Sequence, residues 1–499
     1  MNINSFKKFI VPILLCLAVF MLCSFSRQNK KLNSDAIREK ISQVETSLLP
    51  AIAINDLPIL KRHLSRQMKK YGVPAVSIAV INDGKLEWAR AYGVIEANTN
   101  REINTATSFQ AGSINKPIAA FGALALVQNK TLELNEDINK KLSSWKTPES
   151  PFTKHNAVTL KHLLNHTSGF NGIGFAGYKA NEPIPSLLEI LNGVRPANNF
   201  PLQITFTPGK KVAYSGGGYC VMQQLIEEAA QLSFADFMER TVFRPLSMTH
   251  STMRFPFLDN GNTAHAHSAD GKPMSGGFKT YPESAAAGLW STPADIAKWL
   301  IHIQNSLLGQ EQHMVLNQET LHQMITPDIT PFGLGPLVNG EGNTLNISHK
   351  GFNDGFTCEF IAYPYLGKGA VVMTNSNNGI CLVDEILRSI AFVYQWPSYQ
   401  PEHKNSLPLT SEDLRKHIGR YGTDPQKNDS NDVFVSEKQG ELFLHFGCAD
   451  IPYKLYKEKE NKFFLIESGF EILFKKHEQS KTLTIITQEG FERTFTLFD

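Results

Sequence analysis

The sequence predicts an α/β protein with a separate antiparallel β domain at its C-terminal end, and three features predict it. Ala75-Val-Ser-Ile-Ala-Val-Ile81, the turn Asn82-Asp83-Gly84 and the stretch Lys85 to Tyr92 read as a β-hairpin. The apolar run Ile118 to Val127 reads as a buried helix. From about Leu407 the pattern turns to short alternating strands: Val433 to Ser436, Glu441 to Phe446, Tyr453 to Lys457, Lys462 to Ile466, Glu471 to Lys475, Thr482 to Thr487 and Glu492 to Leu497. Strands at that spacing, joined by glycine and charged turns, predict a barrel or sandwich over 407–499.

The N-terminus reads as a targeting segment. Lys7 and Lys8 precede the apolar stretch Phe9 to Phe25, and Ser24 and Ser26 place small residues at minus three and minus one before a cleavage point. Residues 1–26 are therefore expected to be a secretory signal, which makes the protein exported, to a periplasm or cell envelope. An uncleaved anchor that associates with the membrane and a lipoprotein linked at Cys23 are the alternatives. Losing Lys7 and Lys8 takes two charges from a formal net charge of +2, leaving about zero. No basic surface for nucleic acid is expected. Cys220, Cys358, Cys381 and Cys448 are scattered singly, without metal-ligand or disulfide-framework spacing, although one bridge is open to an exported chain.

Residues 27–55 are polar and read as a linker with a short helix, and 56–400 as one large domain. Leu57 to Tyr71 is expected as an amphipathic helix capped by Asp56 with Pro58 in its first turn. Val158 to Gly169 reads as a short helix ending at glycine. Within it His162 and His166 have a metal-sharing spacing, but Leu163 stands where a zinc protease needs glutamate, so a helix-end histidine is the reading preferred. His265, His267 and Asp270 read as a polar loop. Gly216-Gly217-Gly218 are expected to turn the chain sharply before a helix from Val221 to Gln231, and Ser291 or Thr292 to cap another helix. Asn346 to Gly351, Thr357 to Tyr363 and Gly369 to Thr374 read as consecutive antiparallel strands, closed by a helix from Cys381 to Val393.

The chemistry is expected where the buried helix begins. Ser113-Ile-Asn-Lys116 puts a hydroxyl and an amine one helical turn apart on one face, beside first-turn amides that have no intrahelical partner. A nucleophile, its base and an oxyanion site can meet there. Ser143-Ser-Trp-Lys146 has the same spacing but runs into Thr147-Pro148, with no buried helix to carry it. Ser113 alone also fits a helix N-cap.

Two further motifs follow in order, Tyr214-Ser215-Gly216 and His349-Lys350-Gly351. With Leu163-Leu-Asn-His-Thr-Ser-Gly169 and Gly288-Leu-Trp-Ser-Thr292 between them, residues 57 to 395 resemble the serine beta-lactamase-related family of class C beta-lactamases, D-alanyl-D-alanine carboxypeptidases, D-aminopeptidases and esterases. The resemblance implies a beta-lactamase/transpeptidase-like sandwich: an antiparallel sheet with the terminal helices on one face, a helical subdomain on the other and the site between. It implies Ser113 as the acylated nucleophile, with Lys116 and Tyr214 as a coupled base. It implies an oxyanion hole from the amides of Ser113 and Phe352, and a substrate-binding edge of Ser215, His349, Gly351 and Phe352.

His349 stands where many relatives have a lysine that meets a substrate carboxylate, so a histidine titrating near pH 6.5 is expected there, with Lys350 on the opposite face of the strand. Gly216 stands where many have asparagine, so an amide for a substrate's acylamide is missing. The expected activity is hydrolysis of a D-amino-acid peptide, amide or ester through an acyl-enzyme, with a small-molecule or peptide partner and no cofactor or metal. A non-turnover penicillin-binding or sensing protein of the same fold is the alternative.

Overall fold

The computed structural model describes residues 34–311, 313–329, 331–423, 432–447, 451–477, 480–488 and 492–498. The expected signal 1–26 lies outside them. No helix among the described residues is long and apolar enough to cross a membrane.

The centre is a six-stranded antiparallel sheet of β1 (Ala75–Asn82), β2 (Lys85–Gly93), β3 (Leu337–Asn339), β4 (Asn346–Asn353), β5 (Phe356–Tyr363) and β6 (Lys368–Thr374), in the order β2-β1-β6-β5-β4-β3. The β1–β2 turn needs two left-handed residues and has them in Asp83 (φ 51°) and Gly84 (φ 64°). In β1 the alternation sorts the two cores. Ala75, Ala79 and Ile81 join one, and Val76, Ile78 and Val80 the other.

On the first face lie α3 (Asn115–Gln128), α4 (Gly216–Ala230), α5 (Pro293–Leu307) and the irregular chain between α3 and α5. Thr292 caps α5 by accepting from the Asp295 amide. On the second face lie α1 (residues 34–46), α2 (Leu64–Tyr71) and α6 (Ile380–Val393). Terminal helices on one face and a helical subdomain on the other is the layering expected.

The C-terminal strands close into an eight-stranded antiparallel barrel: Gly419–Gly422, Val433–Lys438, Glu441–Phe446, Tyr453–Lys459, Lys462–Leu465, Glu471–Lys476, Lys481–Ile486 and Glu492–Phe498. Its filled interior, including Leu444, Phe463 and Leu483, is continuous with the core under α6. Charges stitch the same junction. Glu385 of α6 accepts from Arg62 (2.5 Å), Gln67 (2.7 Å) and Tyr71 (2.9 Å), while Glu467 of the barrel pairs with Lys70 at 3.1 Å and Arg62 at 3.5 Å.

Three local expectations are corrected. The stretch read as a linker is folded onto the domain: Val44, Leu48 and Leu49 are buried, and Ile52–Ile54 pairs in parallel with Glu402–Lys404. The helix expected from Leu57 begins at Leu64, because Asp56 is left-handed (φ 63°) and Leu57 and Leu60 face solvent instead of forming a buried stripe. The glycines after Ser215 form the first turn of α4 and make no sharp turn. A Cβ on Gly217 would collide with Asn171 O, so close packing is their use here. Cys220, Cys358 and Cys381 are buried free thiols, and Cys448 lies outside the described residues.

Candidate active site

Ser113 is the middle residue of a 3-10 turn, Gly112–Ile114, that feeds directly into α3. Gly112 makes that entry possible. Its φ is 50°, and a Cβ there would lie 2.5 Å from the amide nitrogen of Phe352. The close approach sets the end of β4 against the start of the turn, which brings the Phe352 amide beside the nucleophile's backbone. Gly351 serves the same approach, since a Cβ on it would collide with Ala111 O and Cys358 Sγ. It is buried, so close packing of the backbone accounts for a glycine here.

Lys116 is 2% exposed. Its Nζ lies 3.0 Å from Ser113 Oγ and donates to Ala286 O at 2.9 Å, so the amine is aimed from both sides. It also sits over the Tyr214 ring, 4.9 Å from the centroid. The backbone of 284–287 is pinned by side chains of the site: Asn115 donates to Ser284 O, and Asn353 to Ala287 O at 3.1 Å. The carbonyl that orients Lys116 is therefore itself held. The decoy lysine, Lys146, donates to Asn139 O and Leu142 O, while Ser143 hydrogen-bonds Glu228.

Tyr214 thus lies beside the same amine. Its Oη is buried without a hydrogen-bond partner among the described residues. The residue that positions it is His166, for which the spacing suggested only a helix end. The Leu160–Leu164 helix stops before it, and His166 adopts φ 59°, unusual for a residue with a Cβ. Its ring packs against that of Tyr214, with centroids 4.3 Å apart and the planes tilted by 33°. Its Nδ1 accepts the Ser215 amide at 3.1 Å, which leaves the proton on Nε2. Burial and the nearby Lys116 charge hold it neutral by pushing its pKa well down. The His166 signal was present in the Leu-Leu-Asn-His-Thr-Ser-Gly motif, but spacing alone does not show a ring contact.

Ser215 is 1% exposed and caps α4. Its Oγ accepts the Gly218 amide at 2.9 Å and donates to Asn171 O at 3.2 Å. Its side chain is thus committed to the fold, which corrects the substrate contact expected of it. Phe352 keeps its side chain 53% exposed at the mouth, so its amide is what it offers the site.

His349 lies across from Tyr214, with ring centroids 6.0 Å apart. Its Nδ1 is 2.6 Å from Lys350 O, and because a carbonyl can only accept, that nitrogen carries the proton. Nε2 is then a bare acceptor, buried and without a partner among the described residues. Burial first, then Lys116, pushes its pKa from 6.5 to about 3. Burial and Lys116 thus hold this ring neutral near pH 6.5, where the sequence leads one to expect it to titrate. Lys350 sits on the other side of β4, where its charge reaches Asp384 of α6.

The two histidines of the loop read as polar, His265 and His267, serve the fold. His267 donates from Nδ1 to Asn375 O at 2.9 Å and accepts the Ala97 amide at 3.0 Å, while His265 pairs with Glu96 at 3.0 Å. Beneath the site, Glu283 is fully buried among groups that include Cys220 and Tyr281, its carboxyl oxygens without a hydrogen-bond partner among the described residues, and burial raises its pKa from 4.5 to about 8.

Comparison with known proteins places this arrangement. Residues 60–395 match the Beta-lactamase family profile, which is more than half of the chain. Protein flp of Staphylococcus aureus (strain MRSA252) is 23% identical over 337 residues, covering 63% of this chain. The chain spans 62% of the length of that relative. Penicillin-binding protein 4* of Bacillus subtilis (strain 168) is 21% identical over 395 residues, covering 74% of this chain and 84% of that protein. The fold is shared with the octameric penicillin-binding protein homologue from Pyrococcus abyssi (TM-score 0.58, 21% identity, covering 87% of this chain and 98% of that one). It is shared also with D-amino acid amidase from Ochrobactrum anthropi SV3 (TM-score 0.55, 21% identity, 66% and 96%). With the family profile spanning the whole sheet and its helical subdomain, the chain belongs to the beta-lactamase family.

Proposed function

We propose that this protein is an exported serine hydrolase that acts through an acyl-enzyme on Ser113, with a D-amino-acid peptide, amide or ester as acyl donor. One observation carries the reading. A wholly buried amine, Lys116 Nζ, is held 3.0 Å from a partly open serine hydroxyl by a backbone carbonyl. Burying an amine is costly, and a scaffold has no use for one aimed at a hydroxyl.

The geometry supports the following chemistry. As Ser113 Oγ attacks the substrate carbonyl carbon, its proton passes to the Lys116 and Tyr214 pair, and the carbonyl oxygen takes the negative charge beside the amides of Ser113 and Phe352. Collapse expels the leaving amine or alcohol, which takes the proton back. Water then attacks the acyl-Ser113 ester by the same path in reverse, releasing the acid and the free hydroxyl.

A D-amino acid amidase and penicillin-binding proteins among the similar proteins favour D-configured donors over other acyl compounds. Lys7, Lys8 and the apolar stretch to Phe25 support export. The test is a panel of D- and L-amino-acid amides, short D-peptides, aryl esters and cephalosporins. Turnover of a D-amide, D-peptide or ester that vanishes in Ser113→Ala is expected. No turnover of any member would contradict the hydrolase reading and favour a binding protein.

A further inference from the structure

We propose that Phe175, carried by the segment 171–178 across the mouth of the Ser113 site, selects acyl donors whose carbonyl bears an apolar substituent with no acylated amine beside it. The inference rests on the hydrolase reading and narrows it to simple esters and unacylated amides.

The segment is tied down on both banks of the site. On the Tyr214 side, Gly217 donates to Gly172 O at 2.9 Å and Ser215 Oγ to Asn171 O at 3.2 Å. On the Phe352 side, Tyr178 and Thr280 exchange backbone hydrogen bonds at 2.9 and 2.8 Å, and Lys279 donates to Ala176 O at 3.0 Å. Lys279 also pairs at 2.8 Å with Asp354, two residues beyond Phe352. A chain fastened at Gly172 and again at Ala176 must cross between the two groups that flank the nucleophile.

Phe175 sits in that crossing, partly buried and packed against the main core. Its ring fills the room beside Gly216, two residues past Tyr214: a Cβ on Gly216 would lie 3.0 Å from Phe175 Cε2. The glycine and the phenylalanine therefore account for one another. In this proposal an acyl group whose carbonyl oxygen sits at the Ser113 and Phe352 amides passes its substituent under this ring. The segment's carbonyls at Asn171, Gly172 and Ala176 already accept hydrogen bonds, and Ile173 O lies against Gly216, 3.2 Å from where a Cβ on it would be. An amide covered by the ring itself would give up water for an aromatic face, whereas an apolar chain gains by the same burial.

Two thioesters of one shape separate the cases: N-benzoylglycyl, with an amide beside the reacting acyl group, and 4-phenylbutanoyl, with methylenes in its place. Each kcat/KM is divided by the rate of hydrolysis by hydroxide, to remove intrinsic reactivity, and Ser113 acylation is followed by intact mass. The wild type should favour 4-phenylbutanoyl by roughly ten- to a hundredfold. Phe175→Ala should cut that preference about tenfold, and Phe175→Leu, which keeps an apolar cover, should retain most of it. Hydrolysis of both with a ratio near one, or a ratio unmoved in Phe175→Ala, would overturn the role of Phe175 while leaving the hydrolase reading in place. Acylation of Ser113 by neither compound would overturn this inference, and the hydrolase reading with it only if the substrate panel above also gives no turnover.

Discussion

His166 and Tyr214 pack ring against ring at a 33° tilt, 4.3 Å between centroids, and the backbone on both sides of the tyrosine is tied to the same histidine. Ala213 donates to His166 O at 2.8 Å and Ser215 to its Nδ1 at 3.1 Å. His166→Ala should therefore misplace the Tyr214 hydroxyl without touching substrate, lowering kcat by roughly ten- to a hundredfold with little change in KM. The check is steady-state kinetics on a folded variant. A kcat within twofold of wild type would show that Tyr214 is held without the ring contact.

The state of His349 gives a prediction about pH. A ring whose pKa is pushed to about 3 gains no proton between pH 5.5 and 8. The ratio of kcat/KM for a carboxylate-bearing ester to that for a matched neutral ester should be flat across that range, so far as His349 is concerned. His349→Lys should raise the ratio by supplying a charge. A wild-type ratio that falls through pH 6.5 would mean the ring is charged in the working enzyme.

Gly216→Asn tests the packing around Phe175. The helical first-turn position accepts a side chain by its backbone, but the new Cβ would meet the Phe175 ring at 3.0 Å and Ile173 O at 3.2 Å. The single variant should lose about 1–3 kcal/mol of stability through overpacking. Adding Phe175→Ala should recover most of it. Additive losses, measured by denaturant unfolding, would show that the two positions do not share space.

Glu283 makes stability depend on pH. Its native pKa of about 8 stands above the unfolded value near 4.5, so the native state holds this proton more tightly. Its contribution is complete below pH 4.5 and is lost as pH rises through 8. Between pH 5 and 8 that amounts to roughly 3–4 kcal/mol for this one group. Glu283→Gln, which cannot ionise, should flatten that part of the profile. An equal decline in the variant would assign the pH dependence to other groups.

What the sequence made legible follows from the range of each signal. Strand alternation is local, so β1, β2, β4 to β6 and seven barrel strands could be read from it. The eighth, Gly419–Gly422, is Gly-Arg-Tyr-Gly, and its flanking glycines mimic a turn. Ser113 and Lys116 share one helical face, so their meeting was visible as spacing. His166 under Tyr214, Phe175 over Gly216 and the burial of His349 join residues distant in the chain, and no local periodicity encodes them. Ser215 was misassigned for the reverse reason: its neighbour Tyr214 lends it an active-site address, while its own hydroxyl is spent capping α4.

The central claim is a covalent bond to one particular serine. Incubation with an activated ester or a penicillin, quenching in acid and peptide mapping by mass spectrometry measures it most directly. The acyl mass should appear on the peptide containing Ser113, disappear in Ser113→Ala, and persist in Ser143→Ala, whose lost hydrogen bond to Glu228 is a surface change worth about 1 kcal/mol or less. An adduct on any other residue, or turnover that survives Ser113→Ala, would contradict the account.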